Sequence, residues 1–253
     1  MSTTPYIGVT GFMSRAQVEA ALEGFPFSPF VKLMVGVLVS DKTLSGVPNS
    51  HPNSFPHPDD IAEIFVDDPR VLNLVHYNTH DQKGLARQLD RLFDTAGPNC
   101  HGVQLNITWP NIEELKLFHA AWRDKVIVLQ LGKEAFEAKQ SPEIVAKYLS
   151  YYKYLIDYLL FDMSGGFGVE IDIDLASDTI GQYLRQGLSK HFGFGLAGGL
   201  DSEKLAMLAP LLRTMQTISI DAQGRLRSDD QLDLEKVKAY IRAALLLYRR
   251  VKV

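Results

Sequence analysis

The chain has 253 residues, 46% hydrophobic and 22% charged, which is material for one large domain or two small ones. A net charge of −4 without a dense basic tract argues against nucleic acid or an anionic membrane as the main partner. The one cysteine, Cys100, excludes an intrachain disulfide and suits a reducing compartment. With no signal-like N-terminus and no run of about 18 apolar residues, a soluble, cytoplasmic protein is expected.

In chain order, β-rich runs occur at "YIGVTG" (6–11), "VKLMVGVLVS" (31–40), "VLNLVHYN" (71–78) and "GVQLNI" (102–107). Four more follow at "KVIVLQLG" (125–132), "YLLFD" (158–162), "FGFGLAG" (192–198) and "TISIDAQG" (217–224). Most are continuous apolar runs, as expected of strands buried on both faces. Between them the period becomes helical. Ile112, Leu115, Phe118 and Trp122 form one stripe, and Leu234, Val237, Ile241, Leu245 and Tyr248 another. Ser141-Pro142-Glu143 is a helix start, predicting a helix to about Leu155, and Asp201-Ser202-Glu203 starts a further one.

Parallel strands need a crossover helix each time, and eight such units in a chain of this size predict an α/β fold, a single (β/α)8 TIM barrel spanning residues 1–253. A doubly wound sheet fits less well, because "GVTGFMS" lacks the G-x-G-x-x-G spacing. The longest stretch without a pattern, 41–60, follows the second strand and would lie on the C-terminal face. It reads either as a mobile cover over a site or as a plain surface insertion.

Barrel sites are built from the C-terminal strand ends. That places Thr10-Gly11, Ser40 to Lys42, Asn78, Asn106, Gln130, Asp162, Gly198-Gly199 and Asp221 to Arg227 at the site. Ala197-Gly198-Gly199 closes the seventh strand before a helix start, and Gln223-Gly224-Arg225 closes the eighth. Such loops can grip a phosphate through bare amides, with Arg225 adding a charged fork, or the glycines can simply make turns. Asp162 ends the sixth strand, where a carboxylate suits general acid work if burial raises its pKa. Glu170, Asp172 and Asp174 alternate but match no cation-binding loop, and the seven histidines form no compact ligand set, so no metal and no cofactor is expected. Cys100 precedes the fourth strand, on the face opposite the site, and is a poor nucleophile candidate.

With these residues in place, the chain resembles the phosphoribosylanthranilate isomerase family, barrel enzymes of tryptophan biosynthesis. "GLAGGLDSEKL" is similar to the family's strand-seven signature, "VQLNI" to its fourth strand, "LLFDMSGGFGVEIDI" to its sixth, and "SIDAQGRLRSDDQLDLEKVKAYIRA" to its last strand and helix. The resemblance implies an Amadori rearrangement, in which an acid opens a ribose ring and a base removes the proton at the adjacent carbon. It places the acid at Asp162 and puts Gly198, Gly199 and Gly224 in the phosphate grip, to which the strand-end reading adds Gln223 and Arg225. Lys42, Asn106, Gln130 and Gly166 fall on the remaining substrate wall.

Departures stand beside the matches. Thr10-Gly11 occupies the place of the family's Cys-Gly base, and a threonine hydroxyl is too weak an acid to replace a thiolate unaided. The family's arginine after the second strand is missing, and nearby Lys42 offers no bidentate fork. Asn106 replaces a histidine, and Arg225 or Arg227 stands where the family has a glutamate. Two functional readings follow: an isomerase with a rebuilt base, or a barrel that keeps a phosphorylated small-molecule ligand and has lost turnover. A homo-oligomer is compatible with either.

Overall fold

The computed structural model describes residues 3–79, 81–132, 135, 141–162 and 171–251. Eight parallel strands close a barrel in sequence order. They are β1 (Tyr6–Thr10), β2 (Lys32–Ser40), β3 (Val71–Asn78), β4 (Gly102–Leu105), β5 (Val126–Leu131), β6 (Tyr158–Asp162), β7 (Gly193–Ala197) and β8 (Ile218–Ala222). Closure comes from β1 on β8, with Ile7 opposite Ile220 and Val9 opposite Ala222. The fold is a (β/α)8 barrel, and each strand falls within the run that predicts it.

The apolar runs work because both faces of each strand are buried. Ile7, Val9, Leu33, Val35, Val103, Leu105, Ile127 and Leu129 point outward into the layer beneath the helices. Tyr6, Met34, Leu72, Leu74, Val128, Tyr158, Leu160 and Ala197 point inward and fill the barrel. Glycines make that interior fit. A Cβ on Gly8 would meet Asp221 Oδ1 and Met34 Cε at 2.7 Å, and one on Gly36 would meet Thr10 Oγ1 at 2.5 Å.

The helices depart from expectation at three points. The helix begun by Ser141, whose side chain caps Ile144 N–H, ends at Leu149 and is followed by a 3₁₀ turn at Ser150–Tyr152. Tyr152 is drawn inward, its hydroxyl donating to Pro110 O, and Tyr154 takes a left-handed φ of 69°, so the chain turns into β6 instead of reaching Leu155 as helix. The Asp201 start opens a 3₁₀ segment, Lys204–Leu208, and an α-helix forms only over Ala209–Thr214. Pro210 has no N–H for an α-type bond to Ala206 and sits naturally in a first turn. Residues 41–60 are not patternless: Asp41–Leu44 is one helical turn with a Ser40–Thr43 capping box, and Pro58–Asp60 is a 3₁₀ turn.

After β8 comes a small hairpin with no counterpart in the sequence reading, β9 (Arg227–Ser228) against β10 (Gln231–Leu232). Its two-residue turn, Asp229-Asp230, has φ of 49° and 60°, the signs a type I′ turn requires. The helix Leu234–Val251 then packs Val237, Ile241 and Tyr248 into the outer layer, as its stripe predicts. No helix among the described residues is long and apolar enough to cross a membrane.

Candidate active site

Inward-facing polar side chains cap the apolar filling at the C-terminal end of the barrel. Thr10, Gln104, Gln130, Asp162 and Asp221 are all buried there. They form one chain of hydrogen bonds. Thr10 Oγ1 donates to Asp221 Oδ1 at 3.2 Å, Gln104 Nε2 to Asp221 Oδ2 at 3.4 Å and to Gln130 Oε1 at 3.2 Å, and Gln130 Nε2 to Asp162 Oδ2 at 2.8 Å. Two buried carboxylates are thus joined through two amides.

Burial pushes the Asp221 carboxyl up to about 7, against the hydrogen bonds from Gln104 and Thr10, while the charge of Asp162 adds to the rise. His76, which lines the same end of the barrel, is pushed down to about 4 by burial, with Asp162 and Gln130 acting in the opposite sense. Its imidazole is therefore neutral near pH 7, and its Nδ1 is shielded without a partner. A carboxyl that titrates near neutrality beside a second carboxylate can exchange protons with a bound molecule.

Two connected spaces open on this layer. A notch of about 20 Å³, room for little more than a water, is lined by His76, Gln104, Gln130, Asp162, Asp221 and the loops after β7 and β8. A cleft of about 880 Å³ continues outward, sharing His76, Gln130, Gln223 and Gly224 with the notch. The segment after β2 walls the cleft with Asn49, His51, Ser54 and Phe55, so this stretch does lie over the strand ends.

Asp162, Gln130, Gly198, Gly199, Gln223, Gly224 and Arg225 line the notch, and Lys42, Asn106 and Gln130 line the cleft. Gly166 lies outside the described residues. Thr10 lines neither space; it is wholly buried behind Asp221 and acts on the site through that carboxylate. Gly198 and Gly199 have φ of 120° and 57°, so the turn alone accounts for them.

Neither loop runs directly into the α-helix expected after it. The segments that follow, Lys204–Leu208 and Gly224–Leu226, are short 3₁₀ turns without an α-helical dipole. Asp201 Oδ1 already accepts from the N–H groups of Glu203 and Lys204, and its Oδ2 lies 3.6 Å from Arg225 Nη1. Asp172 is likewise occupied as a helix cap, accepting from Leu175 N–H. Among the described residues no three metal-binding side chains converge.

His76 and Gln104 are residues that sequence reasoning passed over, and Asp221 is one it placed at a strand end without a role. The signal was present as a single polar residue inside an apolar run: Val75-His76-Tyr77 and Val103-Gln104-Leu105. Where the neighbours face the helices, the polar residue faces the barrel axis.

No protein-family model and no curated protein sequence matches the chain. Solved structures do. N-(5'-phosphoribosyl)anthranilate isomerase from Pyrococcus furiosus superposes with a TM-score of 0.61 at 14% identity, over 96% of this chain and 99% of that one. The phosphoribosyl anthranilate isomerase of Thermotoga maritima gives 0.63 at 16%, over the same shares. Tryptophan synthase subunit alpha from Legionella pneumophila str. Paris gives 0.57 at 12%, over 98% and 92%. The likeness is one of fold.

Proposed function

We propose that this barrel is an acid–base isomerase of a small phosphorylated sugar derivative, with the Amadori-type rearrangement as its chemistry. The observation that carries the reading is the pair Asp162 and Asp221, buried on β6 and β8 to either side of β7 and bridged by Gln104 and Gln130, with Asp221 titrating near 7.

In this mechanism Asp162 keeps the acid role that the resemblance implies. It gives its proton to the ring oxygen as the carbon–oxygen bond of the furanose opens. Asp221 takes the place left by the missing thiolate and removes the proton from the adjacent carbon. The resulting enol gives its hydroxyl proton to Asp162 and takes the proton held by Asp221 at the neighbouring carbon, which yields the ketone, restores both carboxyl groups and leaves substrate and product as isomers. A base whose pKa lies near the working pH combines a large ionised fraction with useful basicity. Thr10 holds Asp221 in place, and neutral His76 orients a hydroxyl without adding charge. The ligand's phosphate is assigned to the loops after β7 and β8, where it must displace Asp201 from Arg225.

The test is turnover of phosphoribosylanthranilate, followed by loss of anthranilate fluorescence, in wild type, Asp162→Asn and Asp221→Asn. Each variant should fold and lose about 10²-fold or more in kcat. Full activity in either refutes the role of that carboxylate. A folded wild type that binds ribose 5-phosphate but turns nothing over supports the second reading, a ligand-binding barrel, which the small notch and the engaged Arg225 favour.

A further inference from the structure

We propose that Arg227 is the receptor for an oxyanionic group, carboxylate or phosphate, on the molecule that fills the large cleft. As a statement about substrate this rests on the isomerase reading; as a statement about binding it stands on the geometry of Arg227 alone.

Arg227 is the first residue of the β9–β10 hairpin and lines the cleft, with only 10% of its side chain exposed. One edge of the guanidinium is fixed: Nη1 donates to Ser54 Oγ at 2.8 Å and to Asp230 O at 2.9 Å. Both acceptors are neutral oxygens, and together they hold the group in a set plane. Nη2 has no acceptor and is shielded from solvent. The nearby carboxylate of Asp230 lies 3.8 Å from Nη1 and is 46% exposed, a weak and well-hydrated counter-charge.

Gly11 adds an independent sign that this room is kept for the arginine. Its φ is 114°, and a Cβ there would collide with Arg227 Nη2. The guanidinium is therefore seated against bare backbone, desolvated, and one acceptor short. Burial lowers its pKa, with Asp230 opposing, so the charge is held at a loss. Removing a cation from water without a closely paired anion is unfavourable, and an oxyanion accepting from Nη2 removes that deficit. Nη2 finds no acceptor within the protein, so the one it lacks has to come from a molecule bound in the cleft that Arg227 lines.

The cleft and the notch share His76, Gln130, Gln223 and Gly224, so one molecule can touch Arg227 and the carboxylate pair at once. Leu38, Val39 and Phe55 supply apolar lining beside the arginine, suited to the body of an organic acid.

The experiment is calorimetric titration of wild type, Arg227→Gln and Arg227→Lys at pH 7 with benzoate, its neutral isostere benzamide, and inorganic phosphate. Wild type is expected to bind at least one of the two anions, and benzamide at least about tenfold more weakly than benzoate where benzoate binds. Arg227→Gln should weaken the anion that uses this site by about tenfold or more, with Arg227→Lys in between. Loss for benzoate identifies a carboxylate, and loss for phosphate identifies a phosphate. Anion binding that Arg227→Gln leaves unchanged, or equal binding of benzoate and benzamide with no phosphate binding, overturns the proposal, as does a wild type that binds neither anion. Should Arg227→Gln fail to fold, Arg227→Lys and the wild-type benzoate–benzamide ratio decide in its place. Inactivity of wild type towards phosphoribosylanthranilate would sink the isomerase reading and leave these binding results untouched.

Discussion

Asp221→Asn turns the raised carboxyl into a measurable slope of stability against pH. In the unfolded chain an aspartate ionises near 3.8, whereas burial in the folded barrel holds Asp221 at about 7. Between those values the folded state carries one more proton than the unfolded state. Wild-type stability therefore falls as pH rises through this window, by about 1.4 kcal/mol per pH unit from this group alone. The contribution is fully present below about 4 and gone above about 7. The window is roughly three units wide, so the whole effect is on the order of 4 kcal/mol, or about 10³ in the unfolding constant. Asparagine has no proton to exchange and removes the slope. The pocket can accept it: Gln104 Oε1 is buried without a partner, so a turned Gln104 amide can receive the new Nδ2–H. The assay is urea unfolding of both proteins at pH 5, 7 and 9, where groups common to the two cancel in the difference. The gap in favour of Asp221→Asn should widen from pH 5 to 7 and stay level to 9. A gap that does not change with pH refutes the raised carboxyl and, with it, the base assigned to Asp221.

Thr10→Val deletes the hydroxyl that stabilises ionised Asp221, so the rising limb of the pH–rate profile should move upward by about half to one pH unit; an unmoved limb means Thr10 does not tune the base. Gly102→Ala sets a Cβ against the carbonyl oxygen of Val126, backbone that cannot swing away, and should cost about 3 kcal/mol or more in a denaturant titration; a change below about 1 kcal/mol would show that β4 and β5 have slack there.

The barrel was legible because its strands break the usual alternation. In "VKLMVGVLVS" and "KVIVLQLG" all but two residues of each are apolar or glycine, and only a strand covered on both faces needs that. The site was half legible. Asp162 and Gln130 stand at strand ends, and the structure brings them within 2.8 Å of each other. His76 and Gln104 hide in mid-strand, where a polar residue can equally be structural. Asn73 is such a case: it is fully buried, faces outward, and spends its amide on Val66 O and Asn99 O. Distinguishing them requires the inward or outward phase of the strand, which only closure of the barrel fixes. The environment of Arg225 was illegible for another reason. Whether Asp201 would cap a turn, pair with Arg225 or leave the amides bare depends on 3₁₀ geometry set by Pro210, nine residues on.

Cys100, buried at the opposite end of the barrel from the cleft, makes the chain a self-reporting one. Its thiol donates to Gly102 O and is pushed up to about 12 by burial, so neither thiolate nor open surface is offered to an alkylating reagent in the folded state. With no second thiol in the chain, the rate at which iodoacetamide labels this protein counts openings of the barrel floor. Ligands that tighten the mouth can thus be scored by a label placed where none of them makes contact.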